Sequence, residues 1–269
     1  MKDINPITIG QIPTPPFWGA KTIDLPLESV FEHLNLPALF RIGWGAGKAS
    51  GDKWAQIQEK YTDRLATMRA ALIKENWLRP KAAYGFWPAA SSADMLHILP
   101  AREGRRSNPL KLHVPRQALP PRRAISDYFC AVENGQKDII AFQVVSMGEP
   151  AIEQVGKLYE LQKDLEAYFL HGLNTQLTEA AAQLTLSMIR ADLDIPNKRG
   201  KRYSWGYEPL PDLSQQVSIM RLLDPDNQLG IFFTSAYQFI PEYTTAALFV
   251  HHPNAEYFRI SQKENNDNQ

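Results

Sequence analysis

Apolar positions along the chain follow two periods, which separate helical stretches from strands. In the helix predicted over residues 54–76, apolar side chains recur every three or four positions, at Ile57, Tyr61, Leu65, Met68, Leu72 and Ile73. The longest helical stretch, about residues 151–192, contains no proline. Gly156 and Gly172 within it argue against a single unbroken rod.

Short apolar or alternating runs bounded by Pro, Gly and Ser predict strands. These runs cover residues 82–89, 95–99, 110–114, 138–145, 229–239, 245–252 and 256–261. The run DIIAFQVV at 138–145 is nearly all apolar, which is typical of a central strand. Because helices and strands come in blocks rather than in strict alternation, the pattern predicts an α+β fold with an antiparallel or mixed sheet.

The two ends of the chain differ in composition from its centre. Residues 1–20 hold four prolines and predict an extended arm, since proline lacks a backbone donor and restricts its neighbour. A short helix over 27–40 is expected to break at Pro37. We predict a single α+β domain over residues 21–262 and a polar tail over 263–269.

Composition limits the classes of function. The 269 residues carry 29 basic and 29 acidic side chains, so no overall charge favours nucleic acid. No apolar run reaches the roughly 18 residues that a membrane helix requires. The single cysteine, Cys130, cannot form an internal disulfide and favours a reducing compartment. Without a secretory signal at the N-terminus, these features predict a cytoplasmic protein.

The sequence contains no complete motif for phosphate binding, metal binding or nucleophilic catalysis. The glycine-rich segment GWGAGKASGD, which follows Ile42, resembles a phosphate loop, but Ile42 stands where the first glycine is required and Ala49 where Ser or Thr is required. We therefore interpret it as a turn. The motifs HExxH, CxxC and GxSxG are absent. His97 and His113 lie in predicted strands, where packed or exposed histidines outnumber metal ligands.

Residues 102–123 are strongly basic. Seven arginine or lysine side chains accompany one acid: Arg102, Arg105, Arg106, Lys111, Arg116, Arg122 and Arg123 against Glu103. This composition fits a solvated loop, and it also fits a docking face for an acidic partner or for phosphate groups.

One irregular segment, GKRYSWGYEPLPD at residues 200–212, combines groups that suit a small ligand. Arg202 offers a guanidinium fork for a carboxylate, and Gly206 permits close approach of the backbone. Its aromatic residues are placed to stack on a flat ring, or to lie on the core as an aromatic loop: Tyr203, Trp205 and Tyr207.

This segment resembles the signature loop of the activation domain of cobalamin-dependent methionine synthase, Arg-Pro-x-x-Gly-Tyr-Pro, because RYSWGYE keeps Arg202, Gly206 and Tyr207. The resemblance continues in order over about residues 12–262. Its other parts are TPPFWG (14–19), LNLPALF (34–40), KENWLRPKAAYGFWPA (74–89), IAFQVVSMGEPAIE with the long helix, and FIPEYTTAALFVHHPNAEYFRI near the end. It implies a twisted, mainly antiparallel sheet flanked by helices.

The resemblance also implies a function. The family's activation domain holds S-adenosylmethionine near cobalamin that has been oxidised to cob(II)alamin, and an electron from a flavodoxin-like donor is trapped by methyl transfer. The protein's part is mainly positioning. No Asp-x-His-x-x-Gly cobalamin motif occurs in this sequence. We therefore expect a stand-alone reactivation protein whose cobalamin is carried by a separate methyltransferase or methionine synthase chain.

Carried over by position, the resemblance implies an S-adenosylmethionine site without catalytic side chains or metal. Arg202 would hold the ligand carboxylate, Gly206 and Tyr207 would line the pocket, and Tyr257 would close it. The backbone around Tyr203 and Trp205 would face the adenosine.

Three positions depart from the family pattern. The acidic positions expected to bind polar groups of the ligand fall on Asn35 and Ser187, and Leu213 replaces a histidine. Loss of two carboxylates removes partners for the ammonium and sulfonium charges. This leaves two alternatives open: a docking module for a corrinoid protein that has lost S-adenosylmethionine, and a scaffold turned to another small carboxylate-bearing ligand through Arg202.

Overall fold

The computed structural model describes residues 12–101 and 108–261, and its centre is one antiparallel sheet of seven strands. The strands of the chain are β1 (Gly19–Asp24), β2 (Lys81–Ser92), β3 (Met95–Ile98), β4 (Leu110–His113), β5 (Asp138–Ser146), β6 (Lys201–Ser204), β7 (Phe232–Phe233), β8 (Phe239–Ile240) and β9 (Thr244–Val250). The sheet order is β4-β3-β2-β5-β9-β6, and β1 pairs with the first half of β2 on the same side as β3. The small strands β7 and β8 pair with each other.

Helices cover both faces of this sheet. They are α1 (Leu27–Glu32), α2 (Leu36–Ala38), α3 (Gly51–Glu75), α4 (Glu149–Glu160), α5 (Asp164–Asp192) and α6 (Gln215–Leu223), with a π-helical turn over Leu39–Gly43. Shorter 3-10 turns cover Ile125–Tyr128 and Val132–Asn134. The α+β class and the antiparallel sheet flanked by helices are thus confirmed. Within the described residues, no helix combines the length and the apolar character needed to cross a bilayer.

Successive side chains of a strand point to opposite faces of the sheet, so the hydrophobic core is divided between these two faces. In β5, Phe142 packs into a cluster with Ile219 and Leu223 of α6, whereas its neighbour Ala141 packs with Ile189 of α5. Because helices pack on both faces of the sheet, all nine residues of β5 are buried. Helix α5 therefore lies across one face and α6 across the other.

The long helical stretch is two helices, not one, and the break lies elsewhere than at its glycines. Gln162, between α4 and α5, adopts a left-handed conformation with φ of 56°. Gly172 serves packing instead, because a Cβ there would meet the Gly43 carbonyl oxygen at 2.4 Å. Helix α5 consequently continues through Gly172, and the π-helical turn rests on it. Pro37 is the second residue of α2, in its first turn, and does not end a helix.

Other differences lie outside the central strands. The five runs at 82–89, 95–99, 110–114, 138–145 and 245–252 are confirmed as β2, β3, β4, β5 and β9. The prediction of one strand over 229–239 is wrong, because only β7 and β8 form there, and residues 256–261 form no strand. The helix α6 was not predicted from the sequence.

The N-terminal segment is anchored to the sheet where the structure describes it. The Phe17 ring packs edge-on against Tyr84 and Phe86, at centroid distances of 6.1 and 5.2 Å, and Gly19 begins β1. The rest of the predicted arm, residues 1–11, and the predicted tail over 263–269 lie outside the described residues.

Candidate functional site

A cavity of about 630 Å³ lies at the edge strand β6, and four of the eight residues predicted to bind the ligand line it. One wall is the signature loop and the other is the segment 256–261. The lining residues are Arg202, Tyr203, Ser204, Tyr207, Glu208 and Pro209 on the loop side, and Tyr257, Phe258 and Arg259 on the other. A second cavity of about 910 Å³, beside Trp18 and Asp138, contains none of the predicted site residues.

Strand pairing and one close backbone contact fix the position of Arg202. In β6, Arg202 lies opposite Phe249 of β9. Gly200 precedes the strand with φ of +76°, and a Cβ there would meet the Val250 carbonyl oxygen at 2.3 Å. Only glycine suits such a position. Arg190 of α5 also donates to the carbonyl oxygens of Arg199 and Gly200, so the approach to β6 is held from the helix side.

Arg202 is paired with a carboxylate that the sequence analysis missed. Its Nη2 donates to Glu179 Oε2 of α5 at 2.5 Å, and the Arg202 side chain is 10% exposed against 44% for Glu179. The other terminal nitrogen of the guanidinium, Nη1, is buried and has no hydrogen-bond partner among the described residues. Burying an unpaired charged donor is costly. Arg202, which lines the cavity, therefore pairs with a carboxylate through one terminal nitrogen and keeps a buried guanidinium donor without an acceptor among the described residues on the other.

Three tyrosines give the cavity its aromatic surface. Tyr203 is buried, and its hydroxyl donates to the Glu256 carbonyl oxygen at 2.6 Å. Burial raises the pKa of Tyr203, so the phenol remains a neutral donor. Its ring contacts Tyr257 edge-on at 5.6 Å. Tyr207 and Tyr257 are 67% and 66% exposed, so their faces are available to a planar ligand.

Two hydrogen bonds join the two walls of the cavity. Tyr203 reaches Glu256 at one end, and at the other end Glu208 Oε2 accepts the backbone N–H of Ser261 at 3.2 Å. Tyr257, Phe258 and Arg259 lie between these two bonds. Segment 256–261 thus crosses the signature loop as an irregular wall, held by side chains rather than by a strand ladder.

Trp205 and Gly206 support the loop from outside the cavity lining. The Trp205 ring is buried in the core, stacks on Phe142 at 6.3 Å and donates from Nε1 to Gln215 Oε1 at 3.3 Å. Gly206 has φ of +88°, and its N–H donates to the Leu210 carbonyl oxygen at 2.9 Å. Both residues shape the turn that carries Tyr207.

Asn35 and Ser187 are likewise absent from the cavity lining. Asn35 caps α2, because its Oδ1 accepts the Ala38 N–H at 3.1 Å. The Ser187 hydroxyl donates to the Gln183 carbonyl oxygen one turn back in α5, at 3.1 Å. The acid that faces Arg202 is Glu179, eight positions before Ser187. A sequence signal for it existed: Glu179 is the one carboxylate between Glu166 and Asp192 of the predicted helix.

Two arginines of the basic stretch are paired with carboxylates within the fold. Arg116 donates to both oxygens of Asp127, at 2.6 and 2.8 Å, and to Asp94 at 2.7 Å. Arg123 forms an ion pair with Glu256. Arg102, Arg105 and Arg106 lie outside the described residues. The predicted docking role of this stretch stays a prediction, with two of its arginines committed to internal carboxylates.

No cluster suited to a metal occurs among the described residues. His97 Nε2 lies 2.6 Å from the Ser92 hydroxyl, in a local strand contact. His251 pairs with Asp138 at 2.6 Å, and both side chains are almost completely buried. These contacts stabilise the fold and lie apart from the lining of the cavity at β6.

Comparison with known proteins agrees with this fold. The family described as "Vitamin B12 dependent methionine synthase, activation domain" matches residues 49–269. A crystal structure of the MetH reactivation domain bound to AdoHcy superposes with a TM-score of 0.82, covering 94% of this chain and 84% of that one at 19% identity. At that identity the structural match supports the fold.

Two curated relatives are methionine synthases of Mycobacterium. The chain is 28% identical to the methionine synthase of Mycobacterium tuberculosis and 29% identical to that of Mycobacterium leprae, each over 279 aligned positions and 93% of this chain. It spans only 23% of the length of either relative. With the family match covering most of the sequence and the fold agreeing, the chain belongs to the family of vitamin B12-dependent methionine synthase activation domains.

Proposed function

We propose that this chain binds S-adenosylmethionine in the cavity at β6 and supports the reductive methylation of cob(II)alamin carried by another polypeptide. The observation that carries the proposal is the buried Arg202 Nη1, which lacks an acceptor among the described residues, beside a Glu179 carboxylate. An amino-acid group supplies what this pair lacks: a carboxylate for the guanidinium and an ammonium for Glu179.

Glu179 changes the balance between the alternatives. The case for lost S-adenosylmethionine binding rested on Asn35 and Ser187 standing where acids were expected, and on Leu213 standing in place of a histidine. A carboxylate nevertheless faces the signature arginine, from a different turn of α5. The ammonium of the ligand thus has a partner of opposite charge, and this favours S-adenosylmethionine binding over a module that only docks.

The rest of the cavity fits an adenosine. Its volume of about 630 Å³ is within the range of small-molecule sites, about 300–1,000 Å³. Tyr207 and Tyr257 expose most of their rings at its two walls, where a purine can stack. The AdoHcy bound by the structurally similar MetH domain is S-adenosylhomocysteine, the product of methyl donation from S-adenosylmethionine.

Methyl donation to a corrinoid requires positioning rather than an acid or base of this chain. Arg202 and Glu179 anchor the amino-acid end of the ligand, and the aromatic walls orient the nucleoside. The corrinoid, when supplied by a methionine synthase or related methyltransferase chain, accepts the methyl group. A flavodoxin-like protein is the proposed electron donor. Both partners are proposals, since the chain spans about a quarter of its methionine synthase relatives.

Calorimetric titration with S-adenosylmethionine tests the site. We expect binding by the wild-type chain and its loss in Arg202→Ala, because the ligand carboxylate then has no guanidinium. Arg202→Lys keeps the charge but not the planar fork, so we expect intermediate affinity. Arg221→Ala, which removes an exposed arginine of α6, is the matched control and should bind normally.

Each outcome has a distinct meaning. Equal affinity of Arg202→Ala and wild type would contradict the assignment of Arg202. No binding by a folded wild-type chain would contradict the function and favour the docking module, which a pull-down with a corrinoid methyltransferase would then reveal. Urea denaturation of each variant separates a lost site from a lost fold.

A further inference from the structure

Two charged residues of the cavity remain outside the pairing of Arg202 with Glu179. Glu208 and Arg259 both line the cavity, both are exposed, and neither forms an ion pair with a described residue. Glu208 is the one carboxylate among the lining residues of this cavity. These charges act on any ligand that occupies it.

The Glu208 carboxylate has a defined attachment. Its Oε2 accepts the Ser261 N–H at 3.2 Å, which ties the signature loop to the opposite wall. Oε1 has no partner among the described residues. Glu208 follows Tyr207 directly and precedes the buried Pro209, so its backbone is constrained on the C-terminal side. The negative charge is therefore held at the cavity and is not carried on a free loop.

The ligand of the proposed function has one charge that the Arg202–Glu179 pair does not match. Its amino-acid group is a zwitterion, and the two charges of that group correspond to Arg202 and Glu179. The remaining charge is the sulfonium of S-adenosylmethionine. S-adenosylhomocysteine is identical except that its sulfur is a neutral thioether without the methyl group.

We propose that Glu208 is the residue through which this cavity prefers the sulfonium of S-adenosylmethionine to the thioether of S-adenosylhomocysteine. The inference rests on the proposed function and extends it from ligand class to ligand charge. Attraction between Glu208 and the sulfonium disappears when the methyl group leaves, so the product is held less tightly than the methyl donor. Specificity of this kind is a difference between two affinities.

Arg259 acts in the opposite direction. Its guanidinium lines the same cavity, and a positive charge there disfavours a sulfonium. Glu208 and Arg259 together set the preference between the two ligands. Removing one charge or the other should therefore shift that preference in opposite directions, a result that a general disturbance of the cavity would not produce.

The test is calorimetric titration of the full chain with S-adenosylmethionine and, separately, with S-adenosylhomocysteine. Glu208→Gln keeps an oxygen that can accept the Ser261 N–H and removes only the charge. Because Glu208 is exposed, we expect S-adenosylmethionine affinity to fall by about three- to fivefold. The affinity for S-adenosylhomocysteine should change by less than about twofold, a change worth only a few tenths of a kcal/mol.

Two further variants complete the experiment. Arg259→Gln should raise the preference for S-adenosylmethionine. Asp212→Asn removes a carboxylate from the same loop outside the cavity lining and should leave the preference unchanged. Equal losses for both ligands in Glu208→Gln would overturn the inference while leaving the proposed function intact. Absence of binding of either ligand to the wild-type chain would overturn both.

Discussion

Replacing Glu179 by glutamine removes the charge that faces Arg202 while keeping the length of the side chain and an acceptor oxygen. In the structure, Glu179 Oε2 lies 2.5 Å from Arg202 Nη2, and the guanidinium is 10% exposed. We propose that the ligand ammonium joins this pair. The glutamine variant should therefore weaken binding of S-adenosylmethionine specifically through the amino-acid end of the ligand.

The magnitude follows from the exposure of the two groups. A hydrogen bond to a charged partner contributes about 1.5–3 kcal/mol. Glu179 is 44% exposed and glutamine retains an acceptor, so the lower limit applies. This corresponds to about a tenfold loss of affinity. The free energy of unfolding without ligand should fall by no more than about 1 kcal/mol, as for partly exposed ion pairs.

The assay compares two ligands in the same variant. S-adenosylmethionine carries the amino-acid group, whereas 5′-methylthioadenosine carries the nucleoside and sulfur without it. In calorimetry, Glu179→Gln should lose affinity for the first and retain affinity for the second. Glu166→Gln, in the first turn of the same helix, is the control. An unchanged affinity for S-adenosylmethionine, or parallel losses for both ligands, would refute the role of Glu179.

Three further predictions concern the packing of the fold. Gly85→Ala should lower the free energy of unfolding by about 1–3 kcal/mol, because its Cβ would meet the Gly19 carbonyl oxygen at 2.0 Å. Gly156→Ala in α4, where a Cβ has open space, should raise it by about 0.5–1 kcal/mol, and urea denaturation giving the same sign for both would contradict the packing. Burial, with the nearby Asp138, raises the pKa of the Cys130 thiol to about 11, so a disulfide reagent at pH 8 should react with the unfolded chain and hardly with the native one. Stoichiometric reaction of the native chain at the unfolded rate would contradict this burial.

The central strands were predictable because their burial leaves a direct pattern in the sequence. The nearly all-apolar run of β5 reflects contacts on both faces, and β2 and β9 follow the same rule. Segment 256–261, EYFRIS, was also predicted as a strand but forms none. Its contacts are made one at a time, such as Gln117 Nε2 to the Arg259 carbonyl oxygen at 2.7 Å, and composition does not distinguish these contacts from a ladder.

Glycines and prolines mark positions of special backbone geometry. The sequence alone does not show whether such a residue breaks a helix or permits close packing. Gly172 permits close packing of the Gly43 turn, although within the sequence it has the same appearance as a helix break. The actual break, at Gln162, carries no glycine or proline. It depends on the direction in which α4 and α5 must pack, which is a property of the whole fold.

The candidate site was predictable where it is local in sequence. Arg202, Tyr203 and Tyr207 lie within six positions and line one cavity, and Tyr257 lies on the opposite wall. Glu179 comes from 23 residues earlier, and only the packing of α5 beside β6 brings it to Arg202. Such a partner is determined by tertiary structure.

The most direct test of the account is transfer of a labelled methyl group. S-adenosylmethionine labelled in its methyl group would be incubated with a chemical reductant, this chain, and a cobalamin-loaded methionine synthase that lacks its own activation domain. The account predicts label on cobalamin with the wild-type chain and little with Arg202→Ala. Absence of label with a chain that binds S-adenosylmethionine normally, across several corrinoid methyltransferases, would contradict it.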